Sequence, residues 1–220
     1  MVDSRWVSVP EHPTRSSRGD HLCRIVLTGG PGGGKTTAAD MLRREIGDRV
    51  IIVPESATML FSGGFPRSDE PGARLAAQRA IYHVQRNLED LQSARFPERV
   101  LLCDRGTIDG AAYWPSDDPL EFFTALETTL EDELARYDAV LFFETAAVGD
   151  FSIETGNPFR TETNREAVAL DTRLRELWQR HPNFVLIHHN HSFMAKLFEG
   201  LHVLTELIHR FANGHRGVQP

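Results

Sequence analysis

The sequence predicts a single α/β domain with a parallel sheet at its centre. Its first apolar run stops abruptly in a glycine-rich loop, and a helix-forming segment follows at once, so this stretch indicates strand, loop and helix. The second run, Val50–Val53, is too continuous for a strand with one exposed face and is typical of a parallel strand buried on both faces. The five predicted strands are Arg24–Thr28, Val50–Val53, Val100–Asp104, Ala139–Phe143 and Phe184–Ile187.

Segments that favour helices follow these strands. The predicted helices are Lys35–Ile46, Ser56–Phe61, Asp69–Arg95, Asp118–Arg136, Glu162–His181 and Ser192–Phe211. On the long third helix, Gln78, Tyr82 and Gln85 share one face, and we favour ordinary polar residues of a partly exposed helix over substrate contacts. Tyr113 and Trp114 could stack on a flat substrate ring, but buried aromatic residues are more often part of a core.

Composition limits the classes of function. With 220 residues, 40% of them hydrophobic and 25% charged, the chain suits one soluble domain and contains no apolar run that could cross a bilayer. The formal charge of -7 and the lack of a basic run argue against nucleic acid as a partner. We expect a cytoplasmic protein with Cys23 and Cys103 as free thiols, a flexible leader at 1–20, a domain at 21–212 and a tail at 213–220.

The glycine-rich loop matches a phosphate-binding motif. Gly29, Gly34, Lys35 and Thr36 satisfy the P-loop pattern G-x-x-x-x-G-K-[ST]. Glycines let the backbone approach a triphosphate closely, and the following helix points free N–H groups at the anion. We expect Lys35 to reach the β- and γ-phosphates and the Thr36 hydroxyl to bind Mg²⁺. The predicted nucleotide-binding residues of this loop are Gly29, Gly30, Pro31, Gly32, Gly33, Gly34, Lys35, Thr36 and Thr37.

Three charged residues follow two of the predicted strands. Glu55 lies just after the second strand, at the edge where open α/β sheets bind ligands, so we expect a base or a metal-linked acid there. The alternative is a carboxylate that only favours the dipole of the next helix. Asp104 ends the third strand, as an acid that holds Mg²⁺ would, and Arg105 can fork onto phosphate oxygens. A surface ion pair between Asp104 and Arg105 is the alternative.

Two later segments contain further candidates. Residues 145–162 form a long irregular stretch that is typical of a lid, and Arg160 and Arg165 flank the start of the next helix. Such arginines can close over the phosphates when substrates are bound, although a surface pair would look the same in the sequence. His188 opens a histidine-rich run after the fifth strand. Its spacing matches no zinc template, so we expect His188 at the rim of a base-binding pocket.

Taken in order, these motifs resemble a known group of kinases. The matching stretches are Thr28–Thr37, Pro54–Ser56, Gln78 with Gln85, Asp104–Asp109 and Arg160. The chain resembles P-loop kinases of the nucleoside and nucleotide kinase group, and more narrowly the AAA-labelled ATP-binding proteins related to the ribosylnicotinamide kinase domain. The resemblance implies the P-loop NTPase three-layer sandwich: a five-stranded parallel sheet in the order 2-3-1-4-5, helices on both faces, and a lid. Gly106 stands where deoxynucleoside kinases have Ser.

The sequence therefore predicts a kinase that transfers the γ-phosphate of ATP, with Mg²⁺, to a hydroxyl of a small molecule. The catalytic candidates are Lys35, Glu55, Asp104, Arg105, Arg160 and Arg165, and the Mg²⁺ candidates are Thr36 and Asp104. The alternative from a different class is a nucleotide-dependent regulatory NTPase that acts on a protein partner. The sequence leaves the acceptor, the choice between ATP and GTP and the oligomeric state open, with a homodimer among the alternatives.

Overall fold

A computed structural model of the chain describes residues 23–149, 163–190 and 192–214, with side chains as far as residue 210. The predicted leader, Arg160 and most of the predicted tail lie outside the described residues. The strands are β1 Arg24–Thr28, β2 Val50–Val53, β3 Val100–Asp104, β4 Ala139–Phe143 and β5 Phe184–Ile187. The α-helices are α1 Lys35–Ile46, α2 Ser56–Ser62, α3 Pro71–Arg95, α4 Glu121–Ala125, α5 Leu130–Leu134, α6 Asn164–Trp178 and α7 Phe193–Gly214.

All five strands pair in parallel in one sheet with the order β2-β3-β1-β4-β5. This order confirms the one that the resemblance implied, and all five strands agree with their predicted bounds. The first strand is central, with Leu27 paired to Asp104 of β3 on one side and to Leu141 of β4 on the other. The carboxyl ends of β1, β3 and β4 therefore meet at the same edge of the sheet.

Each face of the sheet packs on its own layer of helices. On β1, Ile25 and Leu27 pack with α1 and α7, while Val26 packs with α3, α4, α5 and α6 on the other face. This alternation follows from the two-residue period of a strand. The core between the sheet and α1 and α7 is mostly aliphatic. The core on the opposite face contains many aromatic side chains, Trp178 and Phe122 among them. The predicted three-layer sandwich is confirmed.

One predicted helix is wrong. The segment 118–136 was expected to be continuous, but it forms two short helices, α4 and α5, separated by a turn in which Glu127 has φ 55°. Thr129 then starts α5, because its side chain accepts a hydrogen bond from the Asp132 amide. The acidic and apolar periodicity continues across this turn and hides the break.

Smaller shifts occur at other helix ends. The long helix begins at Pro71 rather than at Asp69, as suits a residue without an N–H group. The penultimate helix is shorter than predicted at both ends, and a capping box between Thr163 and Glu166 fixes its start. No helix within the described parts of the chain has the length and apolar character needed to cross a membrane.

Candidate active site

The P-loop connects the carboxyl end of β1 to α1, at the centre of the sheet edge. Gly29 has φ 129°, and a Cβ atom there would lie 2.1 Å from the carbonyl oxygen of Phe143. Gly34 has φ 84° and precedes Lys35, the first residue of α1, without any side-chain cap on the helix. The first N–H groups of α1 are thus without a side-chain acceptor and face the loop, which is the arrangement that binds phosphate.

Lys35 is buried beside this loop. Its ammonium group donates a hydrogen bond to the carbonyl oxygen of Gly30 at 2.7 Å. Burial, reinforced by the nearby Arg105 guanidinium, lowers the pKa of Lys35 to about 7. An anionic phosphate would favour the charged form of the amine and raise this pKa again.

Thr36 and Asp104 come together across the loop. The Thr36 hydroxyl donates to Oδ2 of Asp104 at 2.9 Å, although the two residues are 68 positions apart. Burial, followed by the charge of Glu55, raises the pKa of Asp104 to about 6. A hydroxyl beside a carboxylate, next to a phosphate site, is a donor set that suits Mg²⁺.

A second group of side chains lies beside the P-loop. The Arg105 guanidinium donates from Nε to Oε1 of Glu55 at 2.6 Å and from Nη1 to Oδ2 of Asp109 at 2.9 Å. Asp109 also accepts hydrogen bonds from the Thr28 hydroxyl at 2.9 Å and from Nε1 of Trp178 at 2.8 Å. We call these five residues, Glu55, Arg105, Asp109, Thr28 and Trp178, the Arg105 network.

Glu55 is charged in this setting. Burial works against its charge, but the Arg105 guanidinium and the Thr58 hydroxyl outweigh it and hold the pKa of Glu55 below its usual value. The Thr58 hydroxyl donates to Oε2 of Glu55 at 2.5 Å. Arg105 itself has φ 70°, an uncommon backbone angle for a residue with a side chain. Such strain is frequent at functional sites.

Gln85 of α3 links the two loops that carry Glu55 and Arg105. Its amide nitrogen donates to the Arg105 carbonyl oxygen at 3.2 Å, and its amide oxygen accepts from the Ser56 N–H at 3.4 Å. Gln85 and Tyr82 are each only 2% exposed. The expected exposure is therefore wrong for Tyr82 and Gln85, because both side chains are enclosed and engaged in hydrogen bonds.

Buried side chains of Tyr137 and Glu133 hold the loop after β3 in place. The Thr107 N–H donates to the Tyr137 hydroxyl at 2.8 Å, and the Thr107 hydroxyl donates to Oε2 of Glu133 at 2.7 Å. Tyr137 in turn donates to the fully buried Glu89 at 2.8 Å. A Cβ atom on Gly106 would lie 2.8 Å from the ring of Trp178, so this packing explains why a serine does not fit there.

The remaining candidates are less enclosed. Arg165 lies exposed in the first turn of α6, and the side chain of His188 is 69% exposed, with Nδ1 at 3.7 Å from Glu144. Trp114 is buried in the aromatic core rather than open to a ligand. The sequence does not predict that Trp178 and Thr28 both contact Asp109, since nothing in their local patterns indicates it.

A five-stranded parallel sheet in this order, with a P-loop after its central strand, defines a P-loop nucleotide-binding protein. The chain belongs to a family of AAA domains, whose model matches residues 24–195.

Comparisons with solved structures agree with this class. Deoxyadenosine kinase from M. mycoides with bound dATP is similar with a TM-score of 0.58 at 14% identity, over 84% of this chain and 100% of that one. The NadR protein in complex with NAD and AMP-PNP is similar with a TM-score of 0.56 at 16% identity, over 90% of this chain. This chain spans only 51% of the NadR chain. No curated protein sequence gives a significant match.

Proposed function

We propose that this protein is an ATP-dependent kinase that phosphorylates a hydroxyl group of a small, nucleoside-like molecule. The observation that carries the proposal is the pairing of Glu55 with Arg105 at 2.6 Å, beside the P-loop. Nucleotide binding alone needs the P-loop, Lys35 and an acid such as Asp104, but it does not need a second, charged carboxylate. A kinase needs such a carboxylate to orient the acceptor hydroxyl and accept its proton.

The chemistry assigns one task to each side chain. The acceptor oxygen attacks the γ-phosphorus, the bond from that phosphorus to the bridging β–γ oxygen breaks, and the hydroxyl proton passes to the carboxylate of Glu55. Lys35 and Arg105 stabilise the negative charge on the transferred group. Arg160 and Arg165 would help to neutralise this negative charge as parts of a lid, and His188 would line the base pocket.

Thr36 and Asp104 would hold Mg²⁺, which supplies charge neutralisation on the phosphates when it is bound. Their contact at 2.9 Å supports this assignment. The likeness of the fold to a kinase that binds dATP and to a protein that binds AMP-PNP supports ATP as the phosphate donor.

The test is ATP turnover with Mg²⁺ and a panel of acceptors: nucleosides, ribosylated vitamins, amino sugars and aminoglycoside-like alcohols. We expect one class of acceptor to give a phosphorylated product, and Lys35→Ala to abolish it. Tight ATP binding without any phosphorylated acceptor would overturn the kinase proposal and favour the regulatory NTPase.

A further inference from the structure

Side chains from outside the motif hold the Gly30–Gly33 segment of the P-loop in place. The Thr145 hydroxyl, just after β4, donates to the carbonyl oxygen of Pro31. The ammonium group of Lys196, on α7, donates to the carbonyl oxygen of Gly33 at 2.9 Å and to that of Glu144.

A third side chain fixes the position of Thr145. Oδ1 of Asp171, on α6, accepts hydrogen bonds from the N–H groups of Gly30 at 2.8 Å and Thr145 at 2.9 Å. A Cβ atom on Gly30 would lie 2.6 Å from this oxygen, so the loop and the carboxylate are in close contact. Asp171, Thr145 and Lys196 are all nearly inaccessible to solvent, at 5%, 0% and 3% exposure.

These contacts determine where the N–H groups of the loop point. The chain has no cis peptide bond among its described residues, and in a trans peptide the C=O and the following N–H point in opposite directions. Because Thr145 binds the carbonyl of Pro31, the N–H of Gly32 points away from Thr145. Because Lys196 binds the carbonyl of Gly33, the N–H of Gly34 points away from Lys196.

We propose that Thr145 and Lys196, with Asp171 behind Thr145, are positioning residues that aim the Gly32 and Gly34 N–H groups at the phosphates of the nucleotide. The inference rests on the proposed nucleotide binding but does not depend on the identity of the acceptor. It gives residues outside the motif a role in shaping the phosphate site. One of them, Lys196, lies 163 positions from Gly33, to which it donates.

A matched pair of variants tests the role of Thr145. Thr145→Val has nearly the same shape but lacks the hydroxyl, whereas Thr145→Ser keeps it. We expect Thr145→Val to raise the dissociation constant for Mg²⁺–ATP about tenfold and Thr145→Ser to change it less than about threefold, since a lost buried hydrogen bond costs that order of affinity. Lys196→Met, which removes the ammonium group, should weaken binding by about as much.

Two further measurements separate positioning from general stability. Inorganic tripolyphosphate, titrated by calorimetry well below each melting temperature, should lose affinity by the same factor as ATP in Thr145→Val and Lys196→Met. Leu174→Ala, a core change on α6, should lower the melting temperature while leaving both affinities unchanged, because Leu174 is fully buried in the aromatic core.

The outcomes distinguish this inference from the proposed function. If the unmodified protein binds neither ATP nor tripolyphosphate, the proposed nucleotide site fails, and this inference with it. If it binds both, and Thr145→Val and Lys196→Met bind them equally well, the positioning role is overturned while the proposed function stands. If Thr145→Val does not fold, the affinities of Lys196→Met decide the question. If Lys196→Met does not fold, those of Thr145→Val decide it.

Discussion

The P-loop and the Arg105 network lie side by side but are built in different ways. Most of the groups of the P-loop that we expect to bind phosphate are backbone N–H groups within one short stretch, Gly29–Thr37. The Arg105 network consists of side chains from distant parts of the chain: Glu55 and Arg105 are 50 positions apart, and Asp109 and Trp178 are 69 apart. The P-loop can therefore be recognised from one stretch of sequence, whereas the contacts that join the Arg105 network, such as that of Trp178 with Asp109, cannot.

The largest expected effect is on phosphoryl transfer, and it distinguishes the Arg105 network from the P-loop. Glu55→Gln should lower the rate of phosphoryl transfer about a thousandfold, because the amide cannot accept the proton, while ATP affinity survives. Lys35→Ala should instead lose ATP affinity. Product formation and calorimetric titration of each variant give both values. Transfer at an undiminished rate in Glu55→Gln would remove its role as a base.

Gly106 tests how tightly the Arg105 network is packed. Gly106→Ala should lower the free energy of unfolding by about 1–3 kcal/mol, because the added Cβ lies within 3 Å of Trp178 and of the Tyr137 hydroxyl. Gly72→Ala is the control, since its Cβ would meet nothing within 4 Å. Urea unfolding of both variants makes the comparison. Equal stability in the two would mean that the packing around Gly106 is looser than described.

Trp178 tests whether the far end of the network affects the reaction. Trp178→Phe removes the N–H that donates to Asp109, so we expect transfer to slow about tenfold while ATP affinity stays the same. Trp114→Phe removes a similar volume from the same core and should leave transfer unchanged. Steady-state kinetics at saturating ATP measure both. If the two variants slow transfer equally, the effect comes from packing and not from the hydrogen bond.

The smallest expected effect is the protonation of Lys35 when ATP binds, which concerns the P-loop alone. The free protein holds the pKa of Lys35 at about 7, from a usual 10.5, so ATP binding at pH 8 should take up roughly one proton. Calorimetry in buffers of different ionisation enthalpy measures this uptake. Binding enthalpies independent of buffer would contradict the lowered pKa.

The same pKa makes the stability of the free protein depend on pH. A folded pKa below the unfolded value means that the unfolded chain binds more protons between the two values, so stability from Lys35 is present above pH 10.5 and is lost as pH falls towards about 7. The melting temperature of the free protein should therefore rise from pH 7 to pH 10 more steeply than that of Lys35→Met. Parallel curves would contradict this.

The sequence predicted all five strands because each is a short apolar run that ends in a polar or glycine-rich turn. It also predicted that Glu55, Asp104 and Arg105 share one edge of the sheet, since parallel strands direct their carboxyl ends the same way. The catalytic and binding roles of these residues stay predictions, as do those of Arg160, Arg165 and His188.

Other features depend on contacts that no local pattern records. Gln85 is read as an exposed polar residue until its partners, Ser56 and the Arg105 carbonyl, are seen to come from two other loops. The break between α4 and α5 depends on one positive φ angle at Glu127, and the residues around it still favour helix. Asp171 has the sequence context of a solvated acid on a helix, yet it is buried against the P-loop.

The central place of β1 has a consequence for how the protein is made. β1 leaves the ribosome well before the strands on either side of it, as the contact between Arg24 and Asp138 across 114 positions shows. The Gly30 N–H can donate to Asp171 only after a further 141 residues have been synthesised. A nascent chain released before α6 would therefore contain the complete motif without a formed phosphate site, and ATP should not protect it from proteolysis.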